Sequence, residues 1–212
     1  MKPWRFGLVW QPPKQLLAYG PLATAGTVEE AANSGDAVVL SIPLIAVKDL
    51  PTGLLRGKVV LDTSNYYPFR DGRVADLDAG TVTTSELVAR WLDGARYVKA
   101  FGNILAHHIP LLSRSSGSPD RSAFPIASND TQAKSEAVAI IELLGFDTVD
   151  AGTLSETWKF EPEAAGYTRI YLADQSTPND QLLFSIPSPT PAVQVKSALD
   201  SSTRVNVAER AF

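Results

Sequence analysis

The chain has 212 residues, 44% of them hydrophobic, which is enough for one main core with a smaller extension. Its formal net charge is -4 and no basic block is present, which argues against a nucleic-acid or anionic-membrane binder and favours a small-molecule or protein partner. The absence of cysteine excludes disulfides, thiolate metal sites and a cysteine nucleophile; because no apolar run approaches about 18 residues, we expect no membrane span and a cytoplasmic location.

The predicted strands are short apolar runs bounded by Gly, Asp or Pro. Two of them, within residues 37–43 and 57–65, contain consecutive β-branched or aliphatic residues, which is typical of strands buried on both faces of a parallel sheet. In chain order the predicted strands lie at residues 5–10, 37–43, 58–62, 95–101, 123–128 and 146–149. Their alternation with helices through short connections predicts an α/β fold with a doubly wound, mostly parallel sheet.

The predicted helices separate these strands. Thr27 is followed three residues later by Glu30, which is the capping-box spacing at a helix start. In chain order we predict helices at residues 14–19, 27–32, 44–50, 84–92, 131–144, 154–165 and 192–199. A Ser/Gly/Pro-rich stretch at 111–121 is expected to be a mobile loop. The alternation of helices and strands becomes less clear after residue 166. In this part of the chain, residues 171–172 and 182–186 could pair as strands.

Small polar residues follow three of the predicted strands, at residues 41–43, 63–65 and 101–103. In open α/β sheets the ligand binds in the crevice at the carboxyl ends of the strands, so this pattern predicts a ligand site there. The alternative is that Ser and Asn only form turns at these positions. Two neighbouring polar ends favour the site.

His107 and His108 are the only histidines, and they are adjacent. Adjacent helical residues point roughly 100° apart, so a single metal ion does not easily bind both, and we expect no metal site. We interpret the pair as pocket-lining or surface residues that follow the third polar segment, where one of them can contact a substrate. Serine hydrolase chemistry is disfavoured because G-x-S-x-G is absent.

Five segments, in order and spacing, resemble the family of coenzyme F420-dependent NADP oxidoreductases, a branch of the Rossmann dinucleotide-binding enzymes. They lie at residues 23–32, 38–43, 57–65, 98–103 and 144–152. The resemblance implies that residues 1–152 form a Rossmann-like NADP-binding domain. Residues 153–212 would then form a C-terminal helical extension that packs on this domain or on the partner in a homodimer.

The resemblance also implies hydride transfer between NADP(H) and a second carrier, such as coenzyme F420, or a small carbonyl substrate. The residues it assigns to the cofactor crevice are Ser41, Ile42, Pro43, Asn65, Phe101, Gly102 and Asn103. Asn103 would position the reactants, with no residue acting as acid or base, and His107 and His108 would face the substrate. This fits the chemistry, because hydride transfer needs two flat rings held face to face in a dry slot.

The chain departs from the family pattern at its start. Family members begin with a strand that runs into G-x-G-x-x-G, whose glycines let the backbone approach a pyrophosphate, and no such motif occurs in this sequence. We therefore expect the usual first βα unit to be missing, unless residues 5–10 replace its strand. The chain could be incomplete, completed by a partner, or a family member without NADP. The alternative hypothesis of function is a non-catalytic Rossmann-like binding or dimerisation module that has lost nucleotide binding.

Overall fold

A parallel four-stranded sheet forms the centre of the computed structural model, which describes residues 6–8 and 24–210. Its strands pair in chain order and are β1 (Phe6–Leu8), β2 (Ala37–Leu40), β3 (Val59–Asp62) and β4 (Arg96–Lys99). A second parallel pair consists of β5 (Ala123–Ile126) and β6 (Asp147–Asp150). An antiparallel bridge between Lys99 and Ala127 joins the two sheets. All six predicted strands are confirmed; five have shorter bounds, and the sixth, predicted at 146–149, is shifted by one residue.

Helices connect these strands, as the alternating pattern predicts. The α-helices are α1 (Val28–Ser34), α2 (Pro68–Asp71), α3 (Ala75–Asp78), α4 (Thr84–Trp91), α5 (Ile109–Leu112), α6 (Thr131–Leu143) and α7 (Ala192–Ser201). Short 3-10 helices span Leu44–Asp49, Ala106–His108, Leu154–Phe160, Thr168–Tyr171, Asn179–Phe184 and Val207–Glu209. The helix predicted at residues 14–19 lies outside the described residues. Among the helices of the described part, none is long and apolar enough to cross a membrane.

Two predictions for the last third of the chain need correction. The helix predicted at 154–165 is a 3-10 helix that ends at Phe160, because Glu161 precedes a proline and takes an extended conformation. The strand pairing predicted between 171–172 and 182–186 is also wrong in its extent. Only Leu172 pairs with Pro187, and residues 182–184 instead belong to the 3-10 helix Asn179–Phe184.

Both faces of the sheet are covered at β2, β3 and β4, because alternate residues of these strands enter different apolar clusters. Val59, Leu61 and Val98 pack into the cluster that contains α6, whereas Val60 and Tyr97 pack into the cluster that contains α4. This two-sided burial confirms the Rossmann-like α/β class.

The C-terminal part of the chain also contributes to the first cluster, through Phe160, Ile170, Tyr171, Val195 and Leu199. It therefore packs on the rest of the protomer. The domain boundary at residue 152 stays a prediction.

The first described residues of the chain contribute an edge strand to the sheet. β1 lies parallel to β2, with Phe6 opposite Ala37 and Leu8 opposite Val39. Residues 6–8 thus contribute a strand, as in the interpretation that residues 5–10 replace a missing one. That the family's first unit is absent stays a prediction.

Candidate functional site

A cavity of about 590 Å³ opens at the carboxyl ends of β2, β3 and β4. Six of the seven residues that the resemblance assigns to the cofactor line it: Ser41, Ile42, Pro43, Asn65, Phe101 and Gly102. The structure thus brings the three polar segments together at one site. Their roles toward a cofactor stay predictions.

Strand register explains why the three segments meet. Leu40 pairs with Asp62, and Asp62 pairs with Lys99, so the three strands end at the same level of the sheet. Backbone hydrogen bonds continue this register by one step, from Thr63 N to Leu40 O over 3.0 Å and from Ala100 N to Asp62 O over 3.0 Å. The residues that follow therefore enter one crevice.

The turn after β4 is built around Phe101, which has a φ of 59° and so lies in the left-handed region that non-glycine residues rarely adopt. Its ring packs edge-on against Phe124, with 5.0 Å between the ring centroids. The next residue has to be glycine, since a Cβ on Gly102 would lie 2.9 Å from Lys99 Nζ and 3.1 Å from Thr63 O. The cavity floor is therefore tightly packed from below.

Asn65 holds the two inner loops together. Its Nδ2 donates to Gly102 O over 2.6 Å, and its backbone oxygen accepts from Arg70 Nη2 over 2.8 Å. Its Oδ1 is buried and has no hydrogen-bond partner among the described residues. Since a buried acceptor without a donor is costly, this oxygen is left with an unmet hydrogen bond beside the cavity.

A buried polar cluster lies beneath the floor and was not identified from the sequence. Asp62 accepts from Tyr97 OH and from Ser64 Oγ, each over 2.6 Å, and lies 3.6 Å from Lys99 Nζ. Lys99 Nζ also donates to Ser64 O. Burial, and next the charge of Asp62, raises the pKa of Tyr97 well above its usual range, so its hydroxyl stays protonated. The cluster fixes the loop after β3 from below.

Aromatic and cationic side chains form the rim. The hydroxyls of Tyr67 and Tyr167 lie 2.6 Å apart, and burial, with Tyr67 beside it, raises the pKa of Tyr167. The Arg70 guanidinium lies 4.8 Å from the centre of the Tyr67 ring. Tyr167 was missed because it comes from a segment without a clear sequence pattern.

The remaining predicted site residues are not among those that line the cavity. Asn103 is fully buried and donates to Gly166 O over 2.9 Å and to Tyr171 OH over 3.2 Å. His107 is exposed, whereas His108 is buried, with its Nε2 2.9 Å from Ser185 O, and this burial lowers its pKa. The cavity wall in this region is formed by Ala106 and Ile109. Positioning by Asn103 and substrate contact by the histidines stay predictions.

Residues 6–8 and 24–210 contain no group of three or more His, Asp or Glu side chains that could hold a metal ion. His107 and His108 stack edge to face, with 4.3 Å between their ring centroids.

Part of the sequence matches a known protein family, and the fold is similar to that of solved structures. Residues 13–66 match the family described as NADP oxidoreductase coenzyme F420-dependent. A hypothetical protein from Sinorhizobium meliloti is 27% identical with a TM-score of 0.51, and the match covers 64% of this chain and 65% of that chain, just under two thirds of its length. No curated protein matches the chain.

A second solved structure is a "putative f420 dependent nadp-reductase" from Arthrobacter sp. FB24. It is 21% identical, with a TM-score of 0.55, and the match covers 71% of each chain. This likeness shows a Rossmann-like α/β fold. Together with the match at residues 13–66, it confirms the resemblance of this chain to the coenzyme F420-dependent NADP oxidoreductase family.

Proposed function

We propose that the chain is an NADP-dependent oxidoreductase that transfers a hydride between NADP(H) and a second carrier such as coenzyme F420, or a small carbonyl compound. The observation that carries the proposal is the convergence of three strand ends on one cavity of about 590 Å³. Such a volume is within the range of small-molecule sites. Few polar groups are required, because the reaction depends on proximity and exclusion of water.

The residues of the cavity fit the nicotinamide end of the cofactor. Ile42 and Phe101 offer apolar surfaces for a flat ring, and the unpartnered Asn65 Oδ1 suits an N–H donor such as a carboxamide. When bound, NADPH supplies the hydride. The protein holds the ring, excludes water and keeps the loops in place.

Asn103 is proposed as a positioning residue. It ties the turn after β4 to Gly166, next to Tyr167, whose side chain lines the cavity opposite that turn. A change at Asn103 would therefore shift two parts of the wall relative to each other. For a reaction that depends on ring-to-ring distance, this should slow hydride transfer more than it weakens NADPH binding.

Isothermal titration with NADPH and NADP tests the cofactor. We expect a Kd below about 1 mM for at least one of them, within the usual range for enzyme substrates. A folded protein that binds both more weakly would instead support the non-catalytic binding module. Single-turnover oxidation of NADPH by coenzyme F420, followed by absorbance and compared with small aldehydes and ketones, then identifies the acceptor.

We also propose a homodimer in the cytoplasm. Four large apolar side chains in the C-terminal part are 73–87% exposed: Leu183, Phe184, Ile186 and Val193. An apolar surface of this kind is typical of a contact with another chain. Light scattering of the native protein and of Phe184→Ser tests it, because a dimer through this surface should weaken in the variant. Cell fractionation tests the location.

A further inference from the structure

Arg70 is the only charged residue among the described residues that line the cavity. The rest of the lining consists of apolar, aromatic and uncharged polar residues. Its guanidinium brings N–H donors to the rim, while the compensating carboxylate of Asp71 is buried behind it. A negatively charged group of the occupant should therefore lie at the Arg70 end.

The guanidinium is held in one orientation. Arg70 Nε and Nη2 donate to the two carboxylate oxygens of Asp71 over 2.9 and 2.8 Å, and Nη2 also donates to Asn65 O over 2.8 Å. The Asp71 side chain is fully buried, while that of Arg70 is 37% exposed. The side chain is thus fixed from behind, and little entropy is lost when it binds a ligand.

The opposite edge of the guanidinium is open. Arg70 Nη1 makes no hydrogen bond to any described residue. Asp71 cannot easily turn toward a ligand, because its Oδ2 also accepts from Tyr67 N over 2.9 Å. An arginine oriented in this way presents N–H donors that suit phosphate or carboxylate oxygens.

We infer that Arg70 binds an anionic oxygen, of a phosphate or a carboxylate, on the molecule that occupies the cavity. The inference rests in part on the proposed function, since two sources of the anion are considered: a phosphate of the nucleotide and an acidic group of the redox partner. Arg70 lines the cavity from the loop after β3, where its free N–H groups face either anion.

The test compares Arg70→Gln with Arg56→Gln. Arg56 is exposed and pairs with the exposed Asp93, so the control makes the same change of charge outside the cavity. The probes are inorganic pyrophosphate, NADPH, reduced nicotinamide mononucleotide and reduced nicotinamide riboside, which has no phosphate. Loss of one charged hydrogen bond is expected to weaken binding about ten- to a hundredfold.

The outcomes separate the two sources. Weaker binding of NADPH and the mononucleotide, with unchanged binding of the riboside, assigns the anion to the nucleotide. Unchanged nucleotide binding with a raised KM for coenzyme F420 assigns it to the redox partner. If native protein binds no nucleotide but binds pyrophosphate in an Arg70-dependent way, the proposed function fails and the anion site stands. Equal behaviour of Arg70→Gln and Arg56→Gln toward all these ligands overturns the inference.

A second variant tests the same inference in case Arg70→Gln does not fold. Because Arg70→Gln leaves the buried Asp71 without its partner, the double variant Arg70→Gln/Asp71→Asn removes both charges together. It should show the same loss of anion binding with a smaller loss of stability. Normal anion binding by a folded double variant would also overturn the inference.

Discussion

The side-chain amide of Asn65 donates to the carbonyl oxygen of Gly102 over 2.6 Å, so the loop after β3 is fastened to the loop after β4 at the base of the cavity. The other atom of the same amide, Oδ1, is left without a partner among the described residues. One side chain therefore joins the two loops and carries an unpaired acceptor.

The first prediction concerns Asn65→Ala. The variant removes the acceptor and leaves Gly102 O unpaired, so NADPH should bind about tenfold more weakly and the protein should lose about 1–3 kcal/mol of stability. Titration with NADPH and urea unfolding measure the two effects.

The control for Asn65 is Ser41→Ala, at an exposed residue of the same cavity. It should change stability by less than about 0.5 kcal/mol, as surface substitutions usually do. If Asn65→Ala binds NADPH as the native protein does, the ligand does not use Oδ1.

The convergence of strand ends was predictable from sequence because it depends on local signals. Apolar runs that end in Ser41 or Asn65 indicate buried parallel strands, and parallel strands present their carboxyl ends at one edge. The capping box at Thr27 was predictable for the same reason, and the structure contains both of its hydrogen bonds. Such features need only a few neighbouring residues.

The rim and the floor of the cavity depend on contacts between distant parts of the chain. Tyr67 and Tyr167 are 100 residues apart, and no local pattern indicates that their hydroxyls meet. Asp62 ends one predicted strand and Lys99 lies within another, but only the strand register shows that they pair. Asn103 was assigned to the crevice by the family resemblance, whereas its side chain is fully buried.

The second prediction concerns the buried pair of Lys99 and Asp62, whose side chains are both fully buried. Lys99→Met leaves the Asp62 carboxylate without its cation and should destabilise the protein by about 3–5 kcal/mol. The double variant Lys99→Met/Asp62→Asn should recover part of this loss, because no uncompensated charge remains. Urea unfolding of both variants checks it, and equal loss in the two would show that packing, not charge, dominates.

The third prediction concerns pH and His108. Burial lowers the pKa of His108 in the folded state, so below about pH 6.5 the unfolded chain takes up a proton on this residue more readily than the folded chain. The free energy of unfolding should therefore fall as the pH falls below that value. His108→Gln should reduce this dependence, as measured by urea unfolding between about pH 5 and 8.

His107→Gln is the matched control for this pH dependence. His107 is the exposed neighbour of His108, and the substitution changes the same residue type at the same end of the cavity. It should leave most of the dependence in place. If both variants retain the full dependence, the acid sensitivity comes from other groups.

The fourth prediction compares two helix caps with different surroundings. Thr83 is buried, accepts from Glu86 N over 3.1 Å at the start of α4 and donates to Leu154 O over 2.8 Å. Thr27 makes the equivalent contact to Glu30 N over 3.2 Å, at an exposed site. Thr83→Ala should therefore cost about 2 kcal/mol and Thr27→Ala about 1 kcal/mol or less.

The reason for this difference is that Thr83→Ala removes a cap and also leaves a buried carbonyl without its donor, whereas the groups exposed by Thr27→Ala can bind water. Thr83→Ser and Thr27→Ser keep the hydroxyl and should retain most of the stability at both sites, which separates the hydrogen bonds from the lost methyl group. Thermal and urea unfolding measure all four variants. An equal loss in the two alanine variants would mean that the bond from Thr83 to Leu154 adds nothing to stability. The 3-10 helix at Leu154–Phe160 would then be held against α4 by apolar contacts and by the bonds that Thr84 N and Oγ1 donate to the Glu161 carboxylate, each over 3.1 Å.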